Sequence, residues 1–207
     1  MHLMTLILAC QLAAQTLAPT WDDVYYKRPA CAHGWKYIVI HNSATASGNA
    51  KSFDAYHTQM GYGGLAYHFV IGNGHGSRDG QVEEGFRWKK QMAGTHVTVN
   101  AWYHNIYGIG ICLVGDFERT RPTTKQLLAL DSLVCALQQQ YGIPAGNIIG
   151  HDQVPWGDIS YDADSLTVVF RPGKHERTSC PGKYLSIGDL RRRCRDRPAG
   201  TNATVLP

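Results

Sequence analysis

The chain has 207 residues, enough for one domain with a sizeable core and too few for two ordinary ones. Its 43% apolar content is that of a globular protein, and a formal charge of +4 does not by itself mark a binder of anionic polymers. No basic run interleaved with aromatics occurs, which argues against nucleic acid as a partner; Arg191–Arg193 reads as a solvated helix face.

In chain order, residues 1–18 carry an apolar run from Leu3 to Ala9 followed by small residues, the pattern of an export leader. "ILAC" also looks like a lipoprotein cleavage box, so a secreted or periplasmic protein is expected, with a lipid anchor at Cys10 as one form of it. Nothing later approaches the roughly 18 consecutive apolar residues of a membrane span. A polar, aromatic-rich entry segment starts at Pro19. "KYIVIH" is then apolar without alternation, as in a strand covered on both faces. "KSFDAYHTQMG", Lys51 to Gly61, predicts a helix ended by glycine, "LAYHFVIGNG" a second strand, and "GQVEEG" an edge strand.

"YGIGICLVGDF" is expected to be a central third strand. Thr123 and Gln126 form a capping box ahead of Leu127, Leu130, Val134, Leu137 and Tyr141 at helical spacing, stopped by Gly142 and Pro144. "NIIGH" is a short strand, and a last helix spans about Ile187 to Arg195. Strands alternating with helices predict an α/β single domain, a central mixed β-sheet flanked by helices. The tail 198–207 is expected to be disordered.

Six cysteines are present. With Cys10 and Cys180 set aside, four remain, and their three pairings are open. Cys31 and Cys194 could clamp the ends of the folded region, while Cys112 in an apolar run and Cys135 on a helix read as buried free thiols.

Ten histidines make any one of them weak evidence, but position singles out two. His41 ends a buried strand, and His151 follows "NIIG" before a loop containing Pro155. Loop-facing strand ends are where α/β folds place their sites. Cys180, in the rigid turn "TSCPG", would be held outward rather than packed. Two imidazoles and one thiolate form a sensible zinc set, because Zn2+ takes nitrogen and sulfur tetrahedrally and three protein ligands leave a fourth position open. On chemistry alone, satisfied surface or core side chains remain the competing reading. Glu83 and Glu84 are not a convincing glycosidase pair, since neighbours on a strand face opposite ways.

Six motifs occur in order: "IVIHNSAT", "LAYHFVIGNG", "AGTHV", "YHNIYGIGICLVGDF", "TTKQLLAL" with "QYGIPAGNIIGHDQV", and "TSCPG". Together they resemble the zinc-dependent N-acetylmuramoyl-L-alanine amidases, the family shared by peptidoglycan recognition proteins and short phage amidases. The resemblance covers about Tyr37 to Gly182 and implies a catalytic domain over 19–197. It implies Zn2+ as cofactor, with His41, His151 and Cys180 as ligands. Its catalytic helpers fall on Tyr67, which would assist attack, and Thr178, which would hold an oxyanion. Another branch places a glutamate base in the central strand; the matching position here is Cys112, so the tyrosine arrangement is expected. Substrate contacts are implied at His96, Arg87 and Trp88, and Asn105 would tether a loop beside the site. The implied partner is peptidoglycan, glycan strand plus stem peptide, bound by a monomer. The setting would be an exported protein or a phage endolysin, and the alternative function is a recognition module that binds without cutting.

A ligand histidine donates its second ring N–H to a fixed acceptor, and Asn42 and Asp152 are the adjacent candidates. The chain departs from the family in one place. Between His151 and Cys180 lie 28 residues, Asp152 to Ser179, far more than family members have. This insert, at about 153–177, contains the strand-like "LTVVF". It is expected to form a hairpin over the groove, or else to displace Cys180 as ligand in favour of a residue such as His175.

Overall fold

The computed structural model describes residues 34–162, 167–175 and 177–195, leaving aside the side chains of 158–169. The leader, Cys31 and the tail lie outside the described residues, and the export, anchor and disorder expectations with them. Among the described residues no helix is long and apolar enough to cross a membrane.

Five strands form the expected mixed sheet, in the order β3-β2-β4-β1-β5. Strand β1 (Tyr37–Asn42) lies between β4 (Gly108–Leu113) and β5 (Ile148–Gly150), parallel to both. Strand β2 (Phe69–Ile71) runs parallel to β4, and β3 (Val82–Glu84) closes the edge antiparallel to β2. The second strand is thus shorter than "LAYHFVIGNG", and Tyr67 stands just ahead of it.

Alternation in β4 divides the two faces of the sheet. Ile109, Ile111 and Leu113 join Ile38 and Ile40 in the main core, against Leu130, Val134 and Leu137. Those three belong to helix α4 (Thr124–Tyr141), whose first turn carries the predicted capping box. Gly108, Gly110 and Cys112 are in register with Tyr37, Val39 and His41 and point to the other face. There Val39 packs with Val97, Ala101, Ile149 and Val154. One face of β4 is therefore isoleucine and leucine under a helix, and the other is glycine and cysteine around the histidines.

Helix α1 (Ala50–Gln59) follows the prediction. The short helices α2 (Phe86–Lys89) and α3 (Trp102–Tyr107) were not legible in the sequence. The first is a single turn, and the second buries every residue from Tyr103 to Tyr107, so neither shows an amphipathic period. The insert forms the expected antiparallel hairpin, β6 (Pro155–Asp162) with β7 (Thr167–His175). Phe170 fastens it to the body by stacking on Tyr103, ring centroids 4.7 Å apart.

Helix α5 (Ile187–Arg195) corrects two expectations. Cys194 is disulfide-bonded to Cys135 of α4, so Cys135 is not a free thiol and Cys194 does not clamp to Cys31. The packing of α5 on α4 brings their Cα atoms to 5.1 Å, a pairing no sequence spacing announces. Cys112 is free and buried, as expected. Nor is the arginine cluster merely solvated. Arg191 donates to Ile148 O at 2.7 Å and to Gln153 Oε1 at 3.1 Å, and Arg193 grips Asp131 of α4 with two donors.

Candidate metal centre

Parallel neighbours end at the same edge of a sheet, which places His41 at the end of β1 beside His151, the residue after β5. Their rings are 4.6 Å apart, centre to centre. Cys180, from the turn between β7 and α5, completes a trio whose ligand atoms all lie within 4.8 Å of one another. The distance from His41 Nδ1 to Cys180 Sγ is 3.7 Å. A tetrahedral zinc ion with ordinary bond lengths would separate such a nitrogen and sulfur by about 3.6 Å. The donor set and its spacing fit Zn2+. His175 is not in the trio; its Nδ1 hydrogen-bonds to Gln153 O at 3.2 Å, at the base of the hairpin.

The residues after the two histidines hold the third donor. Asn42 N donates to Cys180 Sγ at 3.3 Å and Asn42 Nδ2 to Pro181 O at 3.0 Å, while Asp152 N donates to Cys180 O at 2.7 Å. Cys180 N in turn donates to Thr178 Oγ1 at 3.1 Å. The insert leaves and returns across this base, so the 28-residue excursion does not displace the cysteine. Asn42 and Asp152, the adjacent candidates for fixing a histidine ring, hold the thiol-bearing turn through these bonds.

The partner of His41 is a third histidine. His41 Nε2 lies 3.0 Å from His96 Nδ1, and His96 Nε2 lies 3.2 Å from Gly108 O. Burial, followed by the neighbouring histidines His151, His96 and His68, holds His41 well below the usual imidazole range, so its ring is neutral and available as a ligand. Burial does the same for His96.

Tyr67 stands over the trio, its ring 5.2 Å from that of His41. Burial first, then the nearby Cys112 and Cys180, raises its phenol well above the ordinary value. The group is therefore protonated at neutral pH, a donor rather than a base.

The three expected substrate contacts, and the expected tether Asn105, are placed elsewhere than on an open surface. His96 is 6% exposed and lies behind His41, with both ring nitrogens engaged. Asn105 is fully buried and tethers the 94–97 loop: it accepts from Val97 N and donates to Val97 O, both at 3.0 Å. Arg87 is 1% exposed and gives its guanidinium to the carbonyls of Leu65, Ala93 and Tyr62 at 2.7–2.8 Å. Trp88 packs on Phe69 and Trp35 against the main core. Arg87 and Trp88 shape the loops that carry Tyr67 and His96 and do not reach the trio.

An α/β sheet with nitrogen and sulfur donors converging at parallel strand ends defines the class, a candidate zinc centre on a mixed-sheet domain. Comparison with known proteins specifies it further. The family model described as N-acetylmuramoyl-L-alanine amidase matches residues 32–183, and the chain belongs to that family. It is 36% identical over 111 residues to peptidoglycan-recognition protein 1 of Holotrichia diomphalia, a match covering 49% of this chain and 51% of that protein. It is 32% identical over 159 residues to the human N-acetylmuramoyl-L-alanine amidase (69% of this chain, 26% of that one) and 32% identical over 133 residues to the endolysin of Klebsiella phage KP32 (60% and 80%). The chain spans about half the length of the two Holotrichia diomphalia relatives it matches. Among solved structures, the amidase LysC from Clostridium intestinale superposes with a TM-score of 0.57 at 21% identity, covering 78% of this chain and 86% of that one, a likeness of fold.

Proposed function

We propose that this protein hydrolyses the amide bond between N-acetylmuramic acid and L-alanine in peptidoglycan, with Zn2+ as its cofactor. The observation that carries the reading is the convergence of His41, His151 and Cys180 within 4.8 Å at the strand ends of an amidase-family domain. Three protein donors leave a fourth position open, as catalytic zinc sites do and closed structural ones do not. Such an ion supplies Lewis-acid polarisation of a carbonyl and lowers the pKa of water toward neutrality.

The remaining work falls to the chain. The main-chain N–H of Asn42 donates to Cys180 Sγ and steadies its anionic form as a ligand. Tyr67, held protonated, donates its hydroxyl hydrogen to the carbonyl oxygen of the lactyl group as charge builds there. The hydroxyl oxygen of Thr178 accepts from Cys180 N, which leaves its own hydrogen free to donate to the same oxygen. In sum one water is consumed. Its oxygen becomes part of the lactyl carboxylate, the carbon–nitrogen bond breaks, and a proton ends on the amine of alanine.

Digestion of purified peptidoglycan, followed by mass spectrometry, tests the reading. Free stem peptides and unsubstituted glycan, abolished by a zinc chelator and restored by zinc, are expected. Binding to the sacculi without release of peptide would replace the enzyme with a recognition module.

A further inference from the structure

We propose that His96 is a positioning residue that sets the metal-binding tautomer of His41, through a hydrogen-bond chain ending on the main-chain carbonyl of Gly108. The inference rests on the reading of His41 as a zinc ligand and adds what makes it one.

The direction of the chain follows from its ends. A carbonyl oxygen can only accept, so the ring nitrogen facing Gly108 O at 3.2 Å, His96 Nε2, carries the hydrogen. At the other end, the His41 atom facing Cys180 Sγ is Nδ1, and a ligand nitrogen must present a lone pair. The hydrogen of His41 then sits on Nε2, which is 3.0 Å from His96 Nδ1. Both ends demand the same arrangement: His41 Nε2–H donates to His96 Nδ1, and His96 Nε2–H donates to Gly108 O. The opposite order would put a hydrogen on His41 Nδ1, where the metal belongs, and would leave Gly108 O facing a lone pair.

The surroundings are built for this ring. Gly110, on the site face of β4, and Gly94 both lie against it; a Cβ on either would run into His96. These glycines have ordinary backbone angles, so space, not conformation, is their reason. The loop that carries His96 is held by Asn105 at three points: Gly94 N to its main-chain O, Val97 N to Oδ1, and Nδ2 to Val97 O. On the far side His68 is locked in its own tautomer, accepting from Gly110 N at Nδ1 and donating from Nε2 to Met92 O, each at 2.9 Å. A metal-ligating histidine ordinarily leans on a carboxylate or a carbonyl. Here a neutral histidine relays the carbonyl of the neighbouring strand, so no negative charge is introduced behind the site.

The test compares zinc affinity, by competition with a chromophoric chelator, in His96→Leu, His96→Asn and wild type. Leucine removes the acceptor; asparagine keeps an amide oxygen near the Nδ1 position. Zinc binding weakened by about 10–100-fold in His96→Leu and largely recovered in His96→Asn is expected. A purely structural role would lower the unfolding temperature of both variants without separating their zinc affinities, and would overturn the proposal. Should His96→Leu fail to fold, nitrogen-15 spectra of zinc-loaded wild type decide: a hydrogen on Nε2 of His41 supports the relay, and a hydrogen on Nδ1 overturns it. Zinc uptake indifferent to His96 would overturn this inference alone, whereas a wild type that takes up no zinc would overturn the proposed function as well.

Discussion

Tyr67 shows how a site group acquires its role from what surrounds it. In isolation a tyrosine in "AYHF" is a strand aromatic; half-buried beside His41, with its phenol held protonated, it is the group we propose as the donor to developing charge. Replacing it with phenylalanine deletes one hydroxyl and no ring. Tyr67→Phe is expected to lower kcat by about 10²–10³-fold on peptidoglycan fragments, the usual loss for one oxyanion donor, with zinc content unchanged. Turnover equal to wild type would remove the donor role. The three candidate ligand positions stood out as a histidine at the end of an apolar strand, a histidine after a short strand and a cysteine in a proline turn, but it was the order of the surrounding motifs that singled them out; the structure brings all three together. The partners of those side chains were not legible. Nothing local in "AGTH" tells that His96 meets His41, which lies 55 positions away in the chain.

At the scale of elements, β4 carried its information in a pattern that hydrophobicity alone misses. "GIGIC" reads as one apolar run, yet its isoleucines feed the core and its Gly110 makes room for the His96 ring. The strands and long helices were readable from period and caps; α2, α3 and the pairing of α4 with α5 were not, because each depends on contacts between distant segments. The Cys135–Cys194 bond closes a separation of 59 residues. Chain-entropy reasoning puts its contribution near 4 kcal/mol, about 2–4 kcal/mol in practice. Urea unfolding of Cys135→Ala/Cys194→Ala against the oxidised protein should show that loss; coincident curves would mean the bond is not formed.

For the whole molecule, buried neutral histidines tie stability to pH. Burial takes His68 from 6.5 down to about 4. Above pH 6.5 both folded and unfolded chains leave it neutral, and its full contribution is present. As pH falls below 6.5 the unfolded chain takes up the proton first, so stability is lost progressively until about pH 4, by about 3 kcal/mol from this residue. His41 and His96 are shifted the same way and add to the loss. Denaturant unfolding of the metal-free protein at pH 7, 5.5 and 4 should therefore show a monotonic fall, and a flat or rising profile would contradict the burial of these rings as neutral groups.

The trio of His41, His151 and Cys180 is the centre on which the proposed chemistry depends, and the most direct measurement is zinc bound per chain after dialysis, in wild type and in Cys180→Ser. One zinc per wild-type chain and a marked loss in the variant are expected. A wild type without zinc, or a variant that holds it as well as wild type, would contradict the assignment.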